Sequence, residues 1–204
     1  MGMKLNIVCI FILGIFIPGF CLAQANETNK NQDINVVYGE RHIFTIETPQ
    51  EWINDKKYAE QIGLVNFFYA SADSSVKQKS YMYAMGYDKD RLNSGLEEFI
   101  QGDLESYRKK YPGFISEKGN IQFTGGVKNG KLYSFSNLND RYAEEVLYAE
   151  TESTIIVFVF SATTENNYLN YQSVFDLFIQ SFNYRGNDPK PFLDYMKKNQ
   201  RIFK

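Results

Sequence analysis

Cysteine is nearly absent from this sequence. The 204 residues include two cysteines, Cys9 and Cys21, and both lie near the N-terminus. Beyond Cys21 the chain has no thiol, which excludes disulfides, cysteine nucleophiles and cysteine-based zinc sites there. Small exported domains that cannot build a large core depend on disulfides, so this chain has to be stabilised by the burial of apolar surface instead.

The segment around the two cysteines has the pattern of a secretory signal. Lys4 makes the start basic, an apolar run follows from Ile7 to Ile17, and Ala23 and Ala25 occupy the small-residue positions of an A-x-A cleavage site. We expect residues 1–25 to be removed as a signal peptide and the mature, cysteine-free protein to be periplasmic or secreted in a bacterium. A cut after Ala23 fits nearly as well.

Two alternatives to a cleaved signal stay open. The apolar run is shorter than the roughly 20 residues of a membrane-spanning helix and is broken by Pro18 and Gly19, which argues against an uncleaved anchor. Cys21 is placed for the lipid of a lipoprotein, but the residue before such a cysteine is small, and here it is Phe20. No second long apolar run follows in the sequence.

Residues of the common catalytic and metal sites are also scarce. The single histidine, His42, stands at the start of a predicted strand, and we expect it on the surface. No G-x-S-x-G nucleophile motif and no G-x-G-x-x-G dinucleotide motif occurs. Asp88 and Asp90 resemble the start of a calcium loop, but Leu92 occupies the third ligand position and Asn93 replaces the usual glycine. We therefore expect no catalytic residue, no cofactor and no metal ligand.

The charged residues argue against nucleic-acid binding and leave a hydrolase as an alternative. The formal net charge of −2 shows no basic footprint for nucleic acid. Glu144 and Glu145 are neighbours in a predicted strand, so their side chains point to opposite faces and cannot share a site. A hydrolase would need carboxylates that converge only in the fold. Such a hydrolase and a carrier of small hydrophobic ligands are the alternatives to the function given below.

After the predicted signal, the chain divides into three parts. Residues 26–33 are polar without apolar periodicity and are expected to be a flexible leader. Residues 34–184 contain all the strong strand and helix patterns and are assigned to a single domain. Residues 185–204 follow a Pro-rich break and form a tail with a short helix.

The strand patterns predict an antiparallel sheet. The segments "HIFTIE", "GLVNFFYAS" and "KSYMYAMGYD" are alternating or aromatic-rich. Asn129-Gly130 predicts the turn of one hairpin, and Thr151-Glu152 that of a second. The run from Ile155 to Phe160 is continuously apolar, which predicts a strand covered on both faces. With the helices below, this indicates the α+β class, an antiparallel sheet sandwiched between helices.

Two long helices are predicted from apolar residues at three- and four-residue spacing. The first begins at a capping box formed by Ser94 and Glu97 and ends before Pro112. The second extends from about Glu165 to Phe182, and its apolar stripe includes Leu169.

Several of these segments resemble the PsbP-like superfamily. They are the opening "FTIETPQEW", the midpoint helix "LEEFIQGDLESY", the hairpin "VLYAETESTIIVFVFSA" and the closing helix ending "VFDLFIQSFNY", and they cover residues Ile43 to Tyr184. The resemblance implies an antiparallel sheet sandwiched between helices, and it implies that Trp52 is a plug where the first strand leaves the sheet. Members of the superfamily mostly bind other proteins and share no catalytic motif, so the resemblance implies no catalytic residue.

Aromatic residues supply the candidate site. Tyr81, Tyr83 and Tyr87 fall on one face of a predicted strand, and Trp52 is the one tryptophan of the chain. Tyrosine is favoured at interfaces because its ring is apolar while its hydroxyl can stay in water. We take these four residues as candidates for protein binding. The alternative is that the tyrosines lie under a helix and that Trp52 is buried.

The function expected from the sequence is therefore that of an exported, non-catalytic protein that binds another protein of the cell envelope. An inhibitor, an immunity-like protein or a chaperone-like factor would fit. In the tail, Phe192, Tyr195 and Met196 form a small apolar stripe ahead of a basic end. We expect the tail to dock on the protein's own body, with a partner or an anionic membrane surface as the alternative.

Overall fold

The computed structural model describes residues 33–71, 80–92, 94–121 and 128–199. The predicted signal peptide and residues 26–32 of the predicted leader lie outside these ranges. The described strands are β1 (Ile34–Tyr38), β2 (Ile43–Glu47), β3 (Trp52–Asn54), β4 (Phe68–Ala70), β5 (Tyr81–Asp88), β6 (Ile115–Ile121), β7 (Lys128–Leu138), β8 (Arg141–Glu150), β9 (Thr154–Ala162) and β10 (Asn183–Gly186). The described helices are α1 (Lys56–Gln61), α2 (Lys89–Leu92), α3 (Leu96–Lys110), α4 (Glu165–Gln180) and α5 (Lys190–Asn199).

These strands form two antiparallel sheets. The larger sheet has the order β3-β4-β5-β9-β8-β7-β6, and the smaller one has the order β1-β2-β10. The smaller sheet is not evident from the sequence, because β10 is a four-residue strand that reaches Gly186, past the end of the predicted domain at Tyr184. Phe44 and Ile46 of β2 belong to the same apolar cluster as α4, which ties the small sheet to the body of the fold.

Strand β9 lies at the centre of the large sheet and is buried along its whole length. It pairs with β5 on one side and with β8 on the other. Each of its residues from Thr154 to Ala162 is buried. The prediction from the continuous apolar run, a strand covered on both faces, is confirmed, and so is the α+β class.

Helices α3 and α4 cover the two faces of the large sheet. Leu96, Ile100 and Leu104 of α3 pack in one apolar cluster, and Phe175, Phe178 and Ile179 of α4 pack in the other. Leu169, which the sequence assigned to the apolar stripe of α4, is instead 65% exposed. A period of 3.6 residues places Leu169 at the margin of that stripe, where the sheet does not reach it.

The start of α3 differs by one residue from the prediction. Gly95 is the N-cap, and the carboxylate of Glu98 accepts a hydrogen bond of 3.0 Å from the Gly95 N–H. Glu97, the predicted partner of Ser94, instead forms an ion pair with Lys131 of β7. The predicted capping box of Ser94 and Glu97 was therefore wrong by one position.

The first predicted hairpin exists, but its turn is elsewhere. Strands β6 and β7 are antiparallel, with Ile121 opposite Gly130. Asn129 and Gly130 thus lie within β7, next to an irregularity in its pairing with β8 between Lys128 and Lys131. An Asn-Gly pair also suits a bulge, since glycine tolerates the backbone conformations that bulges require. The connection at residues 122–127 is outside the described ranges. The second hairpin joins β8 and β9 through residues 151–153, as predicted.

Candidate functional site

The neighbouring carboxylates Glu144 and Glu145 of β8 point to opposite faces of the sheet, as the strand period predicts. Both are buried. On the α3 face, Glu144 accepts a hydrogen bond of 2.5 Å from the hydroxyl of Tyr107. On the α4 face, Glu145 accepts one of 2.5 Å from the hydroxyl of Tyr168. Each covering helix is therefore linked to the same strand by a charge-assisted hydrogen bond from a tyrosine of that helix.

The predicted tyrosine face is the part of β5 that faces α3. Tyr81, Tyr83 and Tyr87 are half-buried and pack against the apolar cluster under that helix. The rings of Tyr81 and Tyr83 stack with their centroids 6.1 Å apart, and the Tyr87 ring lies 5.0 Å from that of Phe99. Their role in protein binding stays a prediction, and each ring is already partly buried against the apolar cluster on this face of the sheet.

Two carboxylates approach this tyrosine face. The hydroxyl of Tyr81 reaches across β9 to donate to Glu144 at 3.2 Å. The small side chain of Ser161, which lies between their strands in the register, leaves room for this bond. On α3, Asp103 accepts a hydrogen bond from Tyr148. Burial raises the pKa of the Asp103 carboxyl, and the bond from Tyr148 partly opposes that rise.

Burial also raises the pKa of the phenols around these carboxylates. The effect is large for Tyr81, Tyr83 and Tyr107, and the charge of Glu144 adds to it for each of them. These hydroxyls therefore stay protonated and act as hydrogen-bond donors. These hydrogen bonds join α3 to the sheet. The carboxylates that a hydrolase would need, Glu144 and Asp103, accept hydrogen bonds from tyrosine hydroxyls of the protein itself.

His42 is not on the surface, contrary to the prediction. It is 3% exposed, and its Nδ1 lies 2.7 Å from Oδ1 of Asp88. The ring fits against Gly39 and Gly86, where an added Cβ would lie 2.3 Å and 2.4 Å from ring atoms. The alternating pattern of the strand does not indicate this burial, because Gly86, one of the two glycines that make room for the ring, lies more than forty residues away in the sequence.

Asp88 and Asp90 do not form a calcium loop. The carboxylate of Asp88 accepts hydrogen bonds from the backbone N–H groups of Glu40 and Arg41 at 3.1 and 3.2 Å, besides its contact with His42. Asp90 forms an ion pair of 3.0 Å with the Arg41 side chain. Among the described residues, no cluster of three or more His, Cys, Asp or Glu side chains is placed to hold a metal ion.

A cleft that the sequence did not indicate lies between α4 and the turn that joins β2 to β3. Its volume is about 530 Å³, and it is open to solvent on one side. It is lined by Glu47, Thr48, Pro49, Gln50, Glu51, Val174, Leu177, Phe178, Gln180 and Ser181. This volume falls within the range of about 300–1,000 Å³ that is usual for ligand pockets.

Three apolar residues of the lining, Val174, Leu177 and Phe178, are called the floor of the cleft, and its two acidic residues, Glu47 and Glu51, are called the rim. Leu177 is 65% exposed, although it stands next to the buried Phe178. Glu47 and Glu51 are the two carboxylates of the rim. Leu177 lies off the apolar stripe that the sequence assigned to α4, and an unexplained leucine next to that stripe is the one sequence signal that could have indicated the cleft.

Trp52 holds the rim of the cleft in place. It is 8% exposed, and its ring meets that of Tyr171 of α4 edge-on with the centroids 5.2 Å apart. Its backbone N–H donates a hydrogen bond of 3.1 Å to the carbonyl of Pro49, which closes the turn. The position agrees with the plug that the superfamily resemblance implied. A direct binding role for Trp52 stays a prediction.

Several solved structures are similar to this chain at low sequence identity. No family model and no curated protein matches the chain. The solved structure of cyanobacterial PsbP from Synechocystis is 12% identical with a TM-score of 0.46, over 68% of this chain and 85% of that chain. LpqN of Mycobacterium tuberculosis, described as involved in cell envelope biogenesis, is 12% identical with a TM-score of 0.48, over 76% and 92%.

A third solved structure has the same kind of similarity. The Ran-binding protein Mog1p of Saccharomyces cerevisiae is 13% identical with a TM-score of 0.45, over 74% of this chain and 95% of that chain. The first of these structures, cyanobacterial PsbP, bears the name of the superfamily that the sequence motifs resemble. No helix within the described ranges is long and apolar enough to cross a membrane.

Proposed function

We propose that this protein is an exported, non-catalytic accessory protein of the cell envelope, and that it binds another protein through the cleft beside α4. The observation that carries the proposal is Leu177, which is 65% exposed and lines a cleft of about 530 Å³. Binding sites are usually concave and lined largely by apolar side chains. The N-terminal pattern of Lys4, the apolar run and Ala25 supports export.

The buried polar groups support a structural role in preference to a catalytic one. Glu144, Glu145 and Asp103 each accept a hydrogen bond from a tyrosine hydroxyl. A general acid or base has to lie within hydrogen-bond reach of a substrate. In these contacts the carboxylates instead join α3 and α4 to the sheet, which accounts for the burial of Glu144 and Glu145 without a substrate.

The same cleft favours one second candidate, a carrier of a small hydrophobic ligand, because its size suits such a molecule and part of its lining is apolar. The open side and the acidic rim of the cleft fit a protein segment better than a small hydrophobic ligand. A carrier would cover most of its ligand, whereas a protein partner brings the remaining cover with it.

A matched pair of substitutions on α4 tests the proposal. Leu177 and Leu169 are the same residue type on the same helix with the same exposure of 65%, but Leu177 alone lines the cleft. The wild-type protein and the variants Leu177→Ser and Leu169→Ser serve as bait for envelope proteins. We expect a protein that wild type and Leu169→Ser retain equally and that Leu177→Ser loses. Equal retention by all three baits contradicts the proposal.

Export is tested separately by the intact mass of the protein recovered from the soluble exported fraction. We expect an N-terminus at Asn26 or Gln24. Retention of Met1, or a mass that includes a lipid on Cys21, contradicts it.

A further inference from the structure

We infer that the segment this cleft binds carries a lysine or arginine beside an apolar side chain. The inference rests on the proposed function and adds the chemistry of the partner. It follows from three features of the cleft, which are its negative potential, its apolar floor and the strained residue at its rim.

Negative charge at the cleft has two independent sources. The carboxylates of Glu47 and Glu51 line it. The C-terminal end of α4 also lines it, through Gln180 and Ser181, and a helix C-terminus carries a partial negative charge. The backbone N–H of Glu47 donates to the Ser181 hydroxyl at 3.0 Å, which brings the two sources together.

Within the described structure, nothing basic offsets this charge at the cleft itself. The last turn of α4 has no basic side chain, and none of the described residues that line the cleft is Lys, Arg or His. Helices commonly place a basic residue at that end. The cation that would complement this helix end is therefore left for the partner to supply.

The floor of the cleft requires an apolar component as well. Leu177 is exposed, Val174 is half-buried and Phe178 is buried. A wholly apolar segment would cover the two carboxylates without pairing them, which is costly. An acidic segment would be repelled. The aliphatic stem of Lys or Arg can instead lie along Leu177 while its charged end stays at the rim.

The backbone of Glu51 gives a further reason to regard the rim as functional. Its φ is 63°, in the left-handed region that favours glycine. The Pro49–Trp52 turn imposes this conformation through the bond from Trp52 N–H to Pro49 O. Glycine would fit this position with less strain, yet a carboxylate stands there. Strained residues of this kind concentrate at functional sites.

Selection from a library of random seven-residue peptides on the immobilised full-length protein tests the inference. We expect the selected peptides to be enriched in Lys or Arg next to Leu, Ile, Val or Phe. Trp52, the only tryptophan of the chain, lies beside the rim, so its fluorescence reports binding of individual synthetic peptides.

The variants separate charge from packing and from folding. Glu47→Gln and Glu51→Gln should each weaken binding about two- to fivefold, the range of exposed ion pairs. Added salt should weaken wild-type binding in the same way. Leu177→Ser should weaken it about tenfold or more, with Leu169→Ser unchanged. Glu51→Gly should also weaken binding while keeping or raising the urea midpoint, since it removes strain together with the charge.

The outcomes distinguish the inference from the function on which it rests. Peptides that depend on Leu177 but carry no basic residue overturn the inference and leave the proposed function in place. No peptide binding that depends on Leu177 overturns both. Arg201, Phe203 and Lys204 of the predicted tail have the same combination of basic and apolar side chains as the expected peptides. Binding of peptides that is seen only in the Phe203→Ser variant would assign the cleft to this tail and would overturn the assignment to a partner.

Discussion

The indole of Trp52 connects the cleft to the core. It is buried against Tyr171 of α4, while its backbone closes the turn that carries Glu51. The single tryptophan therefore holds a strained turn against a helix, and the position of the acidic rim depends on it.

Replacing this ring should lower stability. Trp52→Ala removes a buried aromatic side chain, which typically costs about 3–5 kcal/mol. Trp52→Phe retains part of the packing and should lie between wild type and alanine. Urea midpoints of the three proteins measure the effect. An unchanged midpoint together with lost partner binding would show that Trp52 acts as an exposed contact instead.

Helices α3 and α4 each have a tyrosine that donates a hydrogen bond to a glutamate of β8. Tyr107 of α3 donates to Glu144, and Tyr168 of α4 donates to Glu145. Because the two glutamates are adjacent in the strand, a single dipeptide joins the layers on both faces of the sheet.

Removing each hydroxyl should loosen one helix only. Tyr107→Phe should speed amide hydrogen exchange in α3, and Tyr168→Phe should do so in α4, each with a loss of about 1.5–3 kcal/mol, the usual range for a hydrogen bond to a charged group. Amide hydrogen exchange, followed separately in α3 and in α4, distinguishes the two variants. Equal loosening of both helices in both variants would show that the bonds do not act locally.

Alkaline pH should weaken the α3 face in particular. Burial raises the pKa of Tyr107 and Tyr148 above the value of about 10 in the unfolded chain. The stabilisation of the neutral phenols is complete below that pH and is lost as the pH rises towards the folded value. The free energy of unfolding should therefore fall above about pH 10, and it should fall less steeply in Tyr107→Phe. Tyr195→Phe, at an exposed tyrosine, should match wild type.

Patterns that depend on neighbours along the chain predicted most of the fold. Apolar periodicity indicated α3 and α4, and the unbroken apolar run from Ile155 to Phe160 indicated the strand at the centre of the sheet. Strand period also separated Glu144 from Glu145. Each of these features depends on residues within one continuous segment, so the sequence of that segment is enough to predict it.

Features assembled from distant segments were not predictable. His42 is buried because Gly39 and Gly86 make room for it, and the two glycines are far apart in the chain. The cleft combines the residues after β2 with the end of α4, more than a hundred positions later. Neither half has a pattern of its own, and only the tertiary fold shows that Leu177 and Glu51 share a surface.

The C-terminal tail should be dispensable for folding. Helix α5 has no buried residue, and Tyr195 is exposed, whereas both sheets and the two long helices end before it. Deletion of residues 188–204 should leave a cooperative thermal transition close to that of the whole chain. Failure of the shortened protein to fold would show that this segment belongs to the core.

The most direct test of the account is site-specific photocrosslinking in the intact envelope. A photoreactive amino acid is placed at Leu177, at Leu169 or at Tyr83, one position in each protein. We predict a protein adduct from position 177 and none from position 169, although the two leucines are equally exposed at 65%. Adducts from position 83 alone, or equal adducts from both leucine positions, would contradict a binding site in the cleft.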